Sequence, residues 1–433
     1  MVIDLLLIAA WAAAVFLSRK LYKDVFTPLC VYVSVWLMCL LLFRLRLVNY
    51  YELETRTVGL FAASILAFVL GCLLAYRRND IREHPPDVSK TVQQEPLERA
   101  TKMLCVLNLV GVLIFAYQMN NNYGLGTYFR DPQVIRGASD VWSHAGPLGL
   151  LMMLDYPLLA CAWVHYLLTK RWRGFTIFAL LLVLVQTYLR TDRGSLTYYA
   201  VTCISLWIYW NRWRTLNWRM LLTLGLVSIL LVTYFLGVGL LYGKLVLMQE
   251  GVWNMGDFRV TSGIALTLVN PYIYATSPIG GFQPAIADVS HFSWGTHTFY
   301  PVARVLYGLG ILSERPEPYD FDFYLVPIPV NTYTHIFAFY QDFGVPGVIL
   351  LPMILGYLET RLYLRMKAGP SLFLLGVASA FMALNVFSVF VPLVTGVTFW
   401  YYSAVLYAVS RFCQRRERPV RSRGVFRALP GTA

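Results

Sequence analysis

The sequence predicts an all-α fold, a polytopic membrane helix bundle of about eleven spans with a long extracytoplasmic loop between the eighth and the ninth. Three observations predict it. Of 433 residues, 58% are hydrophobic and only 14% charged, with mean hydropathy +0.57, whereas a soluble domain carries about 25% charged residues. Charges cluster between apolar stretches of about 15–22 residues, the length that crosses a hydrocarbon core of roughly 30 Å. Lipid offers no partner to backbone N–H and C=O groups, so such stretches must be helical.

In chain order, the expected spans are 2–17, 25–43, 57–76, 103–119, 147–168, 174–189, 196–210, 220–240, 345–364, 371–390 and 396–410. A twelfth fits only if one lies hidden or split near Arg44. The first stretch lacks the basic start and small-residue cleavage site of a signal peptide, and is read as a retained span. Between spans three and four, RRNDIREHPPDVSKTVQQEPLERATK is polar and carries Pro85 and Pro86, as a flexible cytoplasmic loop does. The organisation expected is a bundle over 1–240, an extracytoplasmic loop with interfacial helices over 241–344, spans over 345–410, and a basic cytoplasmic tail over 411–433. That loop is far longer than the connections of a compact bundle and too aromatic to be disordered.

A net charge of +13 does not point to nucleic acid, because the basic residues sit at span ends and in the tail, not in one basic domain. Most of the 36 Lys and Arg fall on one face of the model topology when the C-terminus is inside, as the positive-inside bias requires. Six of the seven cysteines lie in apolar segments and form neither a disulfide framework nor a zinc motif. No Walker A or Rossmann glycine pattern appears, so no nucleotide cofactor is expected, and no metal.

Two segments carry candidate chemistry. In RTDRGS, Arg190 and Arg193 lie on a short turn at the outer end of span six. Two guanidiniums so placed can converge on one phosphate. Equally, they can snorkel to head groups, with Asp192 pairing one of them. In NTYTHIFAFYQDFGVPG, Asn331, Thr332, Thr334 and His335 set hydrogen-bonding groups over little more than a helical turn, and Asp342 stands at the entrance to span nine. His335 reads as a general base or a satisfied interfacial histidine; Asp342 reads as a base or a helix cap. Arg130, Arg136, Lys244, Arg259 and Arg304 would join Arg190 and Arg193 in an electropositive outer cavity suited to phosphates. His291 and His297 fit no standard metal spacing, and ERPEPYDFDFY reads as a solvated loop.

The RTDRGS turn, and a long outer loop leading into N-x-Y-T…DFG-x-x-G before a late span, resemble the Wzy-type oligosaccharide repeat-unit polymerases. The resemblance implies a GT-C-like, metal-independent glycosyltransferase in the bacterial cytoplasmic membrane. It would join undecaprenyl-pyrophosphate-linked oligosaccharides into a surface polysaccharide, with a chain-length regulator as a further partner. It assigns pyrophosphate to Arg190 and Arg193 with Arg304 and Arg136 assisting, sugar to Asn331 and Tyr333, and the acceptor hydroxyl to His335 or Asp342. Alternative readings are an O-antigen ligase, a transporter or flippase of lipid-linked sugars, with Asp155 and His165 as the ionisable groups inside apolar stretches, and a structural membrane protein.

Overall fold

Two helix starts in this chain, at Pro28 and Leu372, are marked by a side chain that accepts from a first-turn amide. The computed structural model describes residues 2–76, 91–124, 126, 146–190, 193–212, 218–241, 263–316, 322–326, 328–391 and 393–413. Helix α1 (Val2–Tyr22) is followed by α2 (Pro28–Arg44), where Thr27 accepts from the Cys30 amide at 3.2 Å and Pro28 opens the first turn. Then come α3 (Thr55–Ala75) and α4 (Gln94–Tyr123). A 3-10 segment, Gly146–Leu154, runs into α5 (Asp155–Thr169), and α6 (Gly174–Leu189), α7 (Arg193–Trp210) and α8 (Trp218–Leu241) follow. Helices α9 (Gly263–Ala287) and α10 (Tyr300–Gly308) precede a small antiparallel hairpin, β1 (Tyr324–Leu325) with β2 (Pro329–Val330). The chain closes with α11 (Ile336–Ala368), α12 (Leu372–Phe387), whose cap Ser371 accepts from the Leu374 amide at 3.2 Å, and α13 (Val397–Cys413).

Five described helices are long and apolar enough to cross a membrane: Ile3–Tyr22, Thr55–Ala75, Gln94–Tyr123, Leu148–Thr169 and Ile336–Ala368. Three further apolar helices, α2, α6 and α12, have 16 or 17 residues, about 24–26 Å at 1.5 Å per residue against a hydrocarbon thickness of about 30 Å, and Met220–Tyr234 is an apolar stretch within α8. The chain is therefore a multi-pass helical membrane protein with fewer spans than the apolar runs suggest, and the expectation of about eleven or twelve spans in a GT-C-like bundle is corrected. The physical reason is that apolar runs also serve as bundle interior. Helix α9, inside the segment read as an outer loop, packs this way: Tyr50 bonds Thr276 at 3.0 Å, and the Phe61 and Phe282 rings lie 5.0 Å apart.

Glycine sets the closest packing. At Gly71 and Gly356, an added Cβ would run into the backbone of Met353 and of Phe68, so α3 and α11 touch backbone to backbone. Further along, the Asp24 carboxylate binds Lys367 at 2.5 Å and the Tyr363 hydroxyl at 2.6 Å. At the other end of α3, Arg56 donates to the Tyr340 hydroxyl at 2.5 Å.

Helix α11 is not one rod. Gly344 has φ 62° and ψ −146°, a left-handed-side conformation that breaks the helix. A Cβ on Gly347 would press against the Phe339 carbonyl, 2.9 Å from its carbon, although residues eight apart in a straight helix are separated by about 12 Å. His335 and Glu359 line one cavity, yet a straight helix would hold them about 36 Å apart. The helix thus folds back at Gly344 into a short arm, 336–343, and a long arm, 345–368.

Candidate functional site

The short arm of α11 has two working faces. Tyr333, Phe337 and Gln341, spaced by four, turn one way and line an outer pocket; His335 turns into the bundle. The pocket is completed by the chain after α9, with Asp288, Ser290, His291 and Ser293, and by β1 with Asp322 and Tyr324. Its volume is about 170 Å³, smaller than the roughly 300–1,000 Å³ of sites for drug-sized ligands, so it takes a group of one or two rings. The small hairpin matters here because its pairing of Tyr324 with Val330 holds Asp322 and Tyr324 against Tyr333.

The chemistry of the pocket is acceptor-rich. Tyr324 donates to Asp288 at 2.6 Å, the Tyr333 hydroxyl donates to the Asp322 carbonyl, and Ser290 bonds His291 Nδ1 at 3.0 Å. Burial raises the Tyr324 phenol well above its ordinary value, with the Asp288 hydrogen bond and charge and the Asp322 charge adding to it. Burial likewise raises Tyr333, helped by Tyr324, Asp322 and Asp288. Gln341 Oε1 is buried with no partner among the described residues. Among the described residues no Lys or Arg lines this pocket; most of the cations expected to form an electropositive cavity lie outside the described residues.

On the opposite face, His335 is buried, its Nδ1 2.9 Å from the Ser388 carbonyl oxygen and its Nε2 3.4 Å from the Tyr32 hydroxyl. Its own amide donates to that same carbonyl at 2.8 Å. The rings of Tyr32, Trp36 and Phe339 pack edge-on around it. Asp342 is fully buried, and accepts the His297 and Thr298 amides at 3.2 and 2.5 Å.

Arg190 lies in another part of the bundle. It donates to Asp155 at 3.0 Å and to the Met152 carbonyl at 2.9 Å; Tyr199 donates to the same Asp155 oxygen at 2.7 Å. Asn108 and Gln186 extend the network, bonded to each other at 2.9 Å. Its near neighbours in the sequence, Gly194 and Ser195, line a separate cavity of about 210 Å³ with Tyr198 and Phe387. Arg304 is half-exposed on α10, and Asn331 is half-buried between β2 and Tyr333. Arg136 and the side chain of Arg193, like Arg130, Lys244 and Arg259, lie outside the described residues. The structure thus brings Tyr333, but not Asn331, to the outer pocket and His335 to an inner cavity, and gives Arg190 to Asp155.

Sequence reasoning gave no role to Glu359, Asn385 and Ser388, which line the cavity with His335, or to Asp288, and discounted Asp322 within ERPEPYDFDFY. A single Glu in the apolar run ILGYLETRLYL was the available signal.

The chain matches no protein-family model, and neither a curated protein nor a solved structure is similar to it. The resemblance to Wzy-type polymerases is accordingly corrected: among the described residues five helices, and not about eleven, are long and apolar enough to cross a membrane, and no relative ties this fold to repeat-unit polymerisation. The glycosyltransferase activity and the O-antigen polymerase role, together with the ligase and flippase variants built on the same layout, fall with it.

Proposed function

We propose that this chain is a multi-pass protein of a bacterial cytoplasmic membrane that binds the sugar portion of a lipid-linked oligosaccharide in its outer pocket. The carrying observation is the lining of that pocket: two carboxylates, an amide and two tyrosines, with no Lys or Arg among the described residues. Carboxylates and amides accept hydrogen bonds from sugar hydroxyls, while tyrosine rings offer flat apolar faces at low conformational cost. Tyr333 is one of those tyrosines, and Asn331 follows β2 directly in the chain. The basic residues around Lys367 and Asp24 gather at the opposite end, which favours a non-cytoplasmic pocket.

The test is a binding titration of the purified chain in nanodiscs, following intrinsic fluorescence. The ligands are undecaprenyl-pyrophosphate-linked oligosaccharide and undecaprenyl pyrophosphate alone. The glycan-bearing lipid is expected to bind more tightly, and Asp322→Asn or Gln341→Ala to weaken it about 10- to 100-fold, the worth of one hydrogen bond to a charged or buried group. Equal binding of the two lipids, or no change in either variant, refutes the reading.

A further inference from the structure

The inner cavity behind the short arm of α11 holds a second, separate constellation. Glu359 is only 4% exposed, and its Oε2 accepts from Asn385 Nδ2 at 2.6 Å. No cation pairs with it among the described residues. A charged carboxylate buried in this way costs several kcal/mol, so the group needs either a proton or a base close enough to take one.

His335 is such a base. The Ser388 carbonyl, 2.9 Å from Nδ1, can only accept, so Nδ1 carries the hydrogen. In the neutral ring, Nε2 then keeps its lone pair, with Tyr32 Oη at 3.4 Å. Glu359 and His335 line the same cavity, together with Tyr32, Asn385 and Ser388. Its volume is about 20 Å³, above the roughly 10–15 Å³ that one water requires, and it offers the polar partners a buried water needs.

We propose that Glu359 and His335 form a proton-transfer pair bridged by one buried water. The carboxyl O–H gives its proton to the water, the water passes one of its own to His335 Nε2, and a carboxylate and an imidazolium result. Asn385 Nδ2 steadies the carboxylate and the Ser388 carbonyl steadies the imidazolium, so both charges remain hydrogen-bonded.

The surroundings isolate the pair. Tyr32 faces it from α2, Cys72 from α3 and Tyr209 from α7, all neutral at physiological pH by their ordinary values. On α11, Tyr363 and Lys367 are engaged by Asp24. This inference uses a different cavity from the sugar-binding pocket and stands without it.

Infrared spectra of the full chain in nanodiscs, taken from about pH 5 to about pH 9 where carboxyl and imidazole groups titrate, test it. The expected result is a protonated-carboxyl C=O band that disappears as pH rises and is absent in Glu359→Gln. In His335→Gln its midpoint rises by about one unit or more, because no imidazolium remains to favour the carboxylate. Should either variant fail to fold, the wild type alone decides: the imidazolium ring bands must persist through the pH at which the carboxyl band disappears, because it is the imidazolium that favours the carboxylate. A carboxyl band that does not titrate, that persists in Glu359→Gln, or that keeps its midpoint in His335→Gln overturns the proposal, as does a wild-type imidazolium that is lost below the carboxyl midpoint.

Discussion

Substituting alanine at Gly347 tests the fold-back of α11 directly. The added methyl would meet the Phe339 carbonyl, 2.9 Å from its carbon, and the Phe343 Cβ, also at 2.9 Å. Ordinary carbon contacts lie near 3.5–4.0 Å, so the two arms must separate by roughly half an ångström to an ångström. The obstacle is backbone and cannot rotate away, which places the cost at the upper end of the ~1–3 kcal/mol seen for overpacking. Gly59, exposed on α3, is the control: a Cβ there meets nothing within 4 Å. Its replacement by alanine should be neutral or stabilise by about 0.5–1 kcal/mol through helix propensity. Thermal or chemical unfolding of both variants in detergent reads the difference. If Gly347→Ala unfolds with Gly59→Ala and not well before it, the arms do not touch and both cavity assignments lose their frame.

Asp155→Asn leaves Arg190, whose side chain is 12% exposed, beside a neutral partner, and should cost about 3–5 kcal/mol, as does breaking any buried pair. Arg190→Lys should not preserve stability, because one ammonium does not reproduce a fork that reaches both Asp155 and the Met152 carbonyl; unfolding midpoints check both. Tyr324 has a raised folded pKa, so the fold favours its neutral form. That contribution is complete below the unfolded value of about 10 and is lost as pH rises through the higher folded one. Ultraviolet titration should show Tyr324 ionising after the exposed tyrosines, and Asp288→Asn should bring it down towards them.

The helices were legible where an apolar run meets a cap or a breaker. The run at 174–189 coincides with α6, that at 25–43 nearly with α2, and that at 371–390 with α12 behind its Ser371 cap. Whether a run crosses the membrane was not legible, since burial against other helices selects the same residues as lipid does. Helix α9 was hidden by Pro271, Pro278 and Pro284, which read locally as interruptions but are accommodated within a buried helix. The role of Arg190 depended on Asp155, 35 residues away. Spacing on the RTDRGS turn carries no information about such a partner. Glu359 and His335 are likewise joined only by a fold-back that begins at Gly344, in a GVPG stretch that also reads as a helix start.

The contacts of Asp342 explain why that fold-back holds. Its carboxylate receives two backbone amides, His297 and Thr298, and its carbonyl receives the Trp294 amide at 3.3 Å, while Gln341 O receives the Ser293 amide at 3.1 Å. These bonds lay the segment 292–298 across the tip of the hairpin. Phe292 closes over Gly344, where a Cβ would stand 2.8 Å from the ring, so the residue that supplies the bend also supplies the space for its cover. The same segment sets Ser293 at the rim of the outer pocket. Asp342 therefore acts on that pocket at one remove, by holding its rim against the short arm, and its oxygens are occupied by backbone donors instead of being presented to a ligand.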